Sequence, residues 1–72
     1  MKYKVINEVS NKIIADNVSL GEAFNSIDNW CKSNNHGYYL EDMIVRSNAI
    51  IITPWNKATK IFNRFTIQIV KY

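Results

Sequence analysis

Ser19-Leu20-Gly21-Glu22-Ala23-Phe24-Asn25-Ser26-Ile27-Asp28-Asn29-Trp30-Cys31 is the stretch from which the fold can be read. Ser19 and Glu22 have the spacing of a capping box, in which hydroxyl and carboxylate each satisfy a backbone N–H that the first helical turn leaves free. Leu20, Ala23, Phe24, Ile27, Trp30 and Cys31 then fall at i, i+3, i+4, i+7, i+10 and i+11 and form one apolar stripe. Asn25, Asp28, Asn29 and Lys32 take the other side. The spacing predicts an amphipathic helix that ends at Asn34-Asn35-His36-Gly37. There an Asn or Gly37 takes the left-handed cap, and His36 sits at the negative end of the dipole.

On either side of the helix the period changes to that of strands. Tyr3 to Val9 and Lys12 to Ala15 mix β-branched and aromatic residues with polar ones around Ser10-Asn11, which predicts a hairpin closed by Asp16-Asn17. Tyr38 to Arg46 and Ala49 to Thr53 flank a second Ser-Asn pair, Ser47-Asn48, and predict a second hairpin, which Pro54 ends for want of a ladder donor. Phe65 to Val70 alternates, with Phe65, Ile67 and Ile69 on one face and Thr66, Gln68 and Val70 on the other. Trp55 to Arg64 has no period and reads as a long hairpin loop or a short helical turn at Asn56 to Phe62. The expectation is one α+β domain over residues 1–72, order ββαβββ, with a single helix on one face of a mainly antiparallel five-stranded sheet. The opposite face is left bare, and its open edges offer a place for a partner or for a second copy, as a homodimer through a sheet edge.

Composition narrows the function. In 72 residues that are 47% hydrophobic, most apolar side chains are needed for the core. The single Cys31 can form no internal disulfide, no run of 18 apolar residues occurs, and Met1-Lys2-Tyr3-Lys4 lacks the apolar stretch of a signal peptide. A soluble protein of a reducing cytoplasm, without membrane contact, is expected. Cys31 and His36, the only thiol and the only imidazole, read as a core cysteine and an exposed capping histidine about 140° apart by helical geometry. Glu41-Asp42, the one adjacent acidic pair, would point to opposite faces of a strand and could not act together. No metal-ligand set and no phosphate-cradling glycine loop is present, so neither catalysis nor a cofactor is expected.

The charge of +3 is unevenly placed. Residues 1–36 are neutral overall, whereas residues 43–72 carry Arg46, Lys57, Lys60, Arg64 and Lys71 and no acid. Nine aromatics exceed what one helix on one sheet hides, and Trp, Tyr, Phe and Arg dominate interface hot spots. Tyr38, Tyr39, Arg46, Trp55, Phe62, Arg64 and Tyr72 are therefore the candidate partner-binding residues. The alternative reading is a small nucleic-acid-binding factor in which Trp55 stacks on a base while Lys57, Lys60 and Arg64 neutralise phosphates.

Tyr3-Lys4-Val5-Ile6-Asn7-Glu8, followed by Ile13-Ile14-Ala15-Asp16-Asn17-Val18-Ser19-Leu20-Gly21-Glu22-Ala23, resembles the head of small accessory proteins from phages and mobile elements of low-GC Gram-positive bacteria. In those proteins a hairpin enters a helix through Ala-Asp-Asn-x-Thr/Ser-Leu-x-Glu-Ala. The resemblance covers about a third of the chain and carries no functional residue over from 38–72. It implies a stoichiometric inhibitor of a host defence enzyme, as anti-CRISPR proteins are, with a larger host protein or nucleoprotein complex as partner. DNA mimicry is disfavoured, because it needs an acidic surface and this chain is basic.

Overall fold

The fold is given by a computed structural model, which describes residues 1–8 and 10–72. The order of elements is β1 (Tyr3–Asn7), β2 (Lys12–Val18), α1 (Leu20–Ser33), β3 (His36–Gly37), β4 (Ile44–Val45), β5 (Ala49–Ile52), β6 (Trp55–Asn56) and β7 (Ile67–Lys71). Five strands form an antiparallel sheet in the order β2-β1-β7-β5-β4, and β3 and β6 pair as a second, two-stranded sheet. The fold is α+β, with one helix packed on a mainly antiparallel five-stranded sheet.

The helix begins as its residues dictate. Ser19 Oγ accepts from the Glu22 N–H at 3.2 Å, and the Glu22 carboxylate accepts from the Ser19 N–H at 3.0 Å, so the capping box is complete. These bonds hold the Glu22 carboxyl below its ordinary range. Ala23, Ile27 and Cys31 face the sheet and meet Val5, Ile52, Ile67 and Ile69, which together are the buried core. Phe24 and Trp30 flank it half-buried, and Leu20, first in the stripe, is exposed.

The helix lies over β1 and β2, and β2 is bent to meet it. Val5 pairs with Ala15 but Ile6 pairs with Ile13, so Ile14 is an extra residue. Such a bulge lets neighbouring side chains turn toward one face, and Ile14, Ala15 and Val18 all pack on the core. A second register shift falls where Asn17 adopts φ 55°. Asn11, in the first hairpin loop, has φ 53°, the left-handed conformation asparagine tolerates. The expected end of the first strand at Val9 lies outside the described residues.

Of the residues expected to take the left-handed conformation after the helix, Asn35 does so (φ 55°). One expectation changes. Tyr38 to Arg46 is not one strand: Leu40–Asp42 forms a 3-10 turn, in which the Asp42 N–H bonds to Tyr39 O and the Met43 N–H to Leu40 O, and only Ile44–Val45 joins the sheet. Burial of Tyr38 and Met43 against the core pulls the chain out of strand geometry there. Residues 54–63 form a hairpin of their own, with one turn of helical spacing at its tip, where the Lys60 N–H bonds to Asn56 O at 2.8 Å. Trp55 bridges Phe62 antiparallel, the Asn63 N–H bonds to Pro54 O at 2.8 Å, and the Asn56 N–H bonds to Ile61 O at 2.9 Å.

Candidate functional site

This small hairpin and β3 make a platform beyond the end of the main sheet. Its tip is tied by Asn56, whose Oδ1 accepts from the N–H groups of Ala58 and Thr59 at 2.8 and 3.3 Å, a turn asparagine is suited to. Lys60 closes the tip with φ 63°, uncommon for a residue with a Cβ and a store of local strain. Its Nζ lies 5.5 Å from the centre of the Trp55 ring, a cation–π contact.

Trp55 is the pillar of the site. Gly37 is its cross-strand partner, and the indole lies so close that a Cβ on Gly37 would stand 3.0 Å from the ring. An aromatic laid over a glycine of the neighbouring strand covers backbone that would otherwise be bare. Tyr39 stacks on Trp55 with centroids 5.6 Å apart and planes 12° from parallel, and Phe62 is tilted against Tyr39 at 6.3 Å. Trp55 is only partly accessible and its Nε1 is buried without a hydrogen-bond partner. The outward aromatic surface is carried by Tyr39 and Phe62, 45% and 44% exposed; their chain neighbours Leu40 and Ile61 are exposed as well, Leu40 on the rim of the helix-side cleft.

The seven candidate partner residues thus divide. Tyr39, Trp55 and Phe62 assemble into one cluster, and Arg64 is exposed in the segment just after it. Tyr38 turns the other way and donates to the Asp28 carboxylate at 2.8 Å. Arg46 and Tyr72 lie at the opposite end of the sheet: Ile52 pairs with Ile67 near Trp55, whereas the Lys71 N–H bonds to Asn48 O beyond the far end of β5. They cannot share a compact footprint with Trp55. Of the basic set, Lys60 meets the Trp55 ring, whereas Lys57 lines a separate cleft on the helix side.

That cleft, about 400 Å³, is lined by Asp28, Cys31, Lys32, His36, Gly37, Tyr38, Leu40 and Lys57. It gathers the thiol and the imidazole, which helical geometry had kept apart, because His36 lies past the helix end and the turn at Asn35 brings it back. His36 is half-buried and not an exposed cap. Its Nδ1 bonds to the Asn34 carbonyl, which can only accept, so Nδ1 carries the proton, and its ring lies 5.2 Å from Trp30. Cys31 is buried, and that burial together with the Asp28 carboxylate pushes its thiol up to about 11, against a weaker opposite pull from Lys57. A thiol so poised is protonated at neutral pH and is a poor nucleophile. Burial and the bond to Asp28 likewise raise Tyr38. Glu41 and Asp42 are exposed in the 3-10 turn, away from any strand face. Among the described residues no three His, Cys, Asp or Glu side chains are grouped to hold a metal ion, and no helix is long and apolar enough to cross a membrane.

Residue counting missed Leu40, Ile61, Gly37 and Asn56. Leu40 and Ile61 are exposed apolar residues beside candidate aromatics, which was a usable signal; the role of Gly37 depends on a partner strand distant in sequence. No protein-family model matches the chain, and no match was found among curated proteins or solved structures.

Proposed function

We propose that this chain is a non-enzymatic binding module that docks on a larger protein through the Tyr39–Phe62 edge of its second sheet. The observation that carries this reading is the division of labour around Trp55. The indole is taken up by Gly37, Tyr39 and Lys60, so the two partly exposed rings of Tyr39 and Phe62 are held on a fixed base. Rigid, partly exposed aromatics are what interface hot spots are made from. A base-stacking platform would instead need the Trp55 face open and its lysines arrayed beside it. Here Lys60 lies over the ring and Lys57 lines the helix-side cleft. The raised, protonated thiol of Cys31 supports a reading without catalysis.

The size, the basic charge and the N-terminal resemblance make a phage or mobile-element inhibitor of a host defence enzyme, such as a CRISPR nuclease, the partner class to test first. Calorimetric titration into purified CRISPR effector complexes, alongside a labelled oligo-dT strand, separates the readings. The proposal expects micromolar or tighter binding to a protein complex, lost in Phe62→Ser and kept when Lys57, Lys60 and Arg64 are changed to Glu. Salt-sensitive binding to oligo-dT, lost on those charge reversals and unaccompanied by binding to any effector complex, would establish the nucleic-acid alternative instead.

A further inference from the structure

The two faces of the main sheet differ sharply. On the helix side Val5, Ile52, Ile67 and Ile69 are fully buried. On the other side the strand register aligns Ile13, Ile6, Gln68, Ile51 and Ile44, one residue from each of the five strands. Directly paired residues point to the same face, so these five form a single stripe across the sheet. None of them is buried, the end residues Ile13 and Ile44 are 54% and 49% exposed, and none of the four isoleucines packs on the core.

Two opposite charges flank the stripe along the β1 segment, and Arg46, two residues from Ile44 and bonded through its N–H to Ala49 O, lies on the same face at the β4 end. Lys4 and Glu8 lie two residues to either side of Ile6 and so share its face. Lys4 pairs with Val70, and Glu8 continues the ladder through its N–H to Thr66 O while the Thr66 hydroxyl donates to its carboxylate. A half-turn about the stripe lays apolar residues on apolar residues and sets each lysine against a glutamate. At the centre it brings together two glutamine amides, and an amide, being donor and acceptor at once, pairs with its own kind.

We infer that this bare face is a self-association surface, on which two copies stack sheet to sheet about a two-fold axis along the Ile13–Ile44 stripe, with Lys4 facing Glu8 of the partner subunit in both directions. A second copy fits because the pattern is complementary to itself, the condition a two-fold interface imposes. Pairing through the edges is the poorer geometry. β4 has only two residues, and β2 is broken by two register shifts, both of which blunt a strand edge. Strands of five, seven, two, four and five residues, at about 3.3 Å per residue and about 4.8 Å apart, give a footprint of roughly 360 Å² per copy, under half that of a standard interface, so the dimer is weak.

Sedimentation equilibrium of the full chain from about 10 µM to about 1 mM tests this, with an expected dissociation constant on the order of 100 µM. Lys4→Glu or Glu8→Lys alone should weaken association about tenfold, and the double exchange should restore it, which excludes misfolding as the cause. Ile51→Lys, checked for native circular dichroism, should abolish the dimer, whereas Phe62→Ser should leave it intact, since the aromatic edge is a separate surface. A chain still monomeric at the highest concentration would overturn the inference. So would a dimer indifferent to the charge reversals and to Ile51→Lys but broken by Val45→Pro on the β4 edge.

Discussion

Tyr39 and Trp55 lie ring over ring, 5.6 Å apart and 12° from parallel, although one belongs to the approach to a 3-10 turn and the other to a two-residue strand. The stack ties the chain after β3 to the hairpin after β5, and Trp55 in turn rests on Gly37. The second sheet has only two ladder pairs of its own, so its stability rests mainly on this aromatic column.

Truncations along the column should therefore have graded effects. Trp55→Ala is expected to cost about 2–3 kcal/mol as the most enclosed ring, Tyr39→Ala about 1 kcal/mol because it stacks on Trp55, and Phe62→Ala less than about 1 kcal/mol because it only tilts against Tyr39. Urea unfolding monitored by circular dichroism gives all three. The order for partner affinity should run differently, with Tyr39 and Phe62 counting for more than their stability cost. Equal losses of stability and affinity across the three would mean that the column is structural only.

Gly37→Ala should destabilise by about 1–3 kcal/mol through overpacking, because the added methyl meets ring atoms of Trp55 at 3.0 Å. The displaced indole should change tryptophan fluorescence before the main unfolding transition. A variant as stable as the parent, with unchanged emission, would show that the ring does not rest on Gly37.

The helix, its capping box and the two hairpins could be read from the residues because their signals are local. An apolar stripe at helical spacing and a Ser-x-x-Glu pair need no knowledge of what lies across the fold. The bare sheet face followed from having one helix and five strands to cover. What could not be read depends on partners remote in sequence: a two-residue strand has no period, and His36–Gly37 becomes a strand only because Trp55–Asn56 lies beside it. Tyr38 to Arg46 looked like a strand because aromatic and β-branched residues favour that conformation, yet the turn at Leu40–Asp42 prevailed. Within the candidate site, Tyr39, Trp55 and Phe62 were legible as surplus aromatics. That Tyr38 faces inward and that Arg46 and Tyr72 belong to the far end depended on the strand order.

The helix-side cleft should show its chemistry in pH dependence. With the thiol moved from 9.0 to about 11, alkylation of Cys31 at pH 8 should be roughly a hundredfold slower than for an exposed cysteine and should rise with pH up to about 11. Asp28→Asn removes a carboxylate that favours the protonated thiol and should speed the reaction. The folded state holds this proton more tightly than the unfolded chain. Its contribution to stability is therefore complete below about pH 9 and is lost as pH rises toward about 11, with Tyr38 acting in the same direction. Rapid alkylation at pH 7 would contradict a buried, protonated thiol.

Ser19→Ala should cost about 1 kcal/mol by removing the acceptor for the Glu22 N–H. Glu22→Gln should be milder, since the amide oxygen can still accept from Ser19. Because the folded Glu22 carboxyl lies below its ordinary value of 4.5, the stabilisation it gives is present above that pH and fades as pH falls further. Melting temperatures of both variants between pH 3 and 7 check this; identical acid profiles for parent and Glu22→Gln would rule it out.

Contact without turnover is most directly tested by titrating a susceptible nuclease with this chain and counting molecules at the end point. Activity should fall in proportion to added protein and stop near one chain, or one weakly paired dimer, per nuclease complex. The joint change Tyr39→Ser with Phe62→Ser should raise the required concentration at least about a hundredfold. Progressive inactivation by a small fraction of an equivalent, abolished by Cys31→Ala or His36→Ala and indifferent to the aromatic changes, would contradict the account.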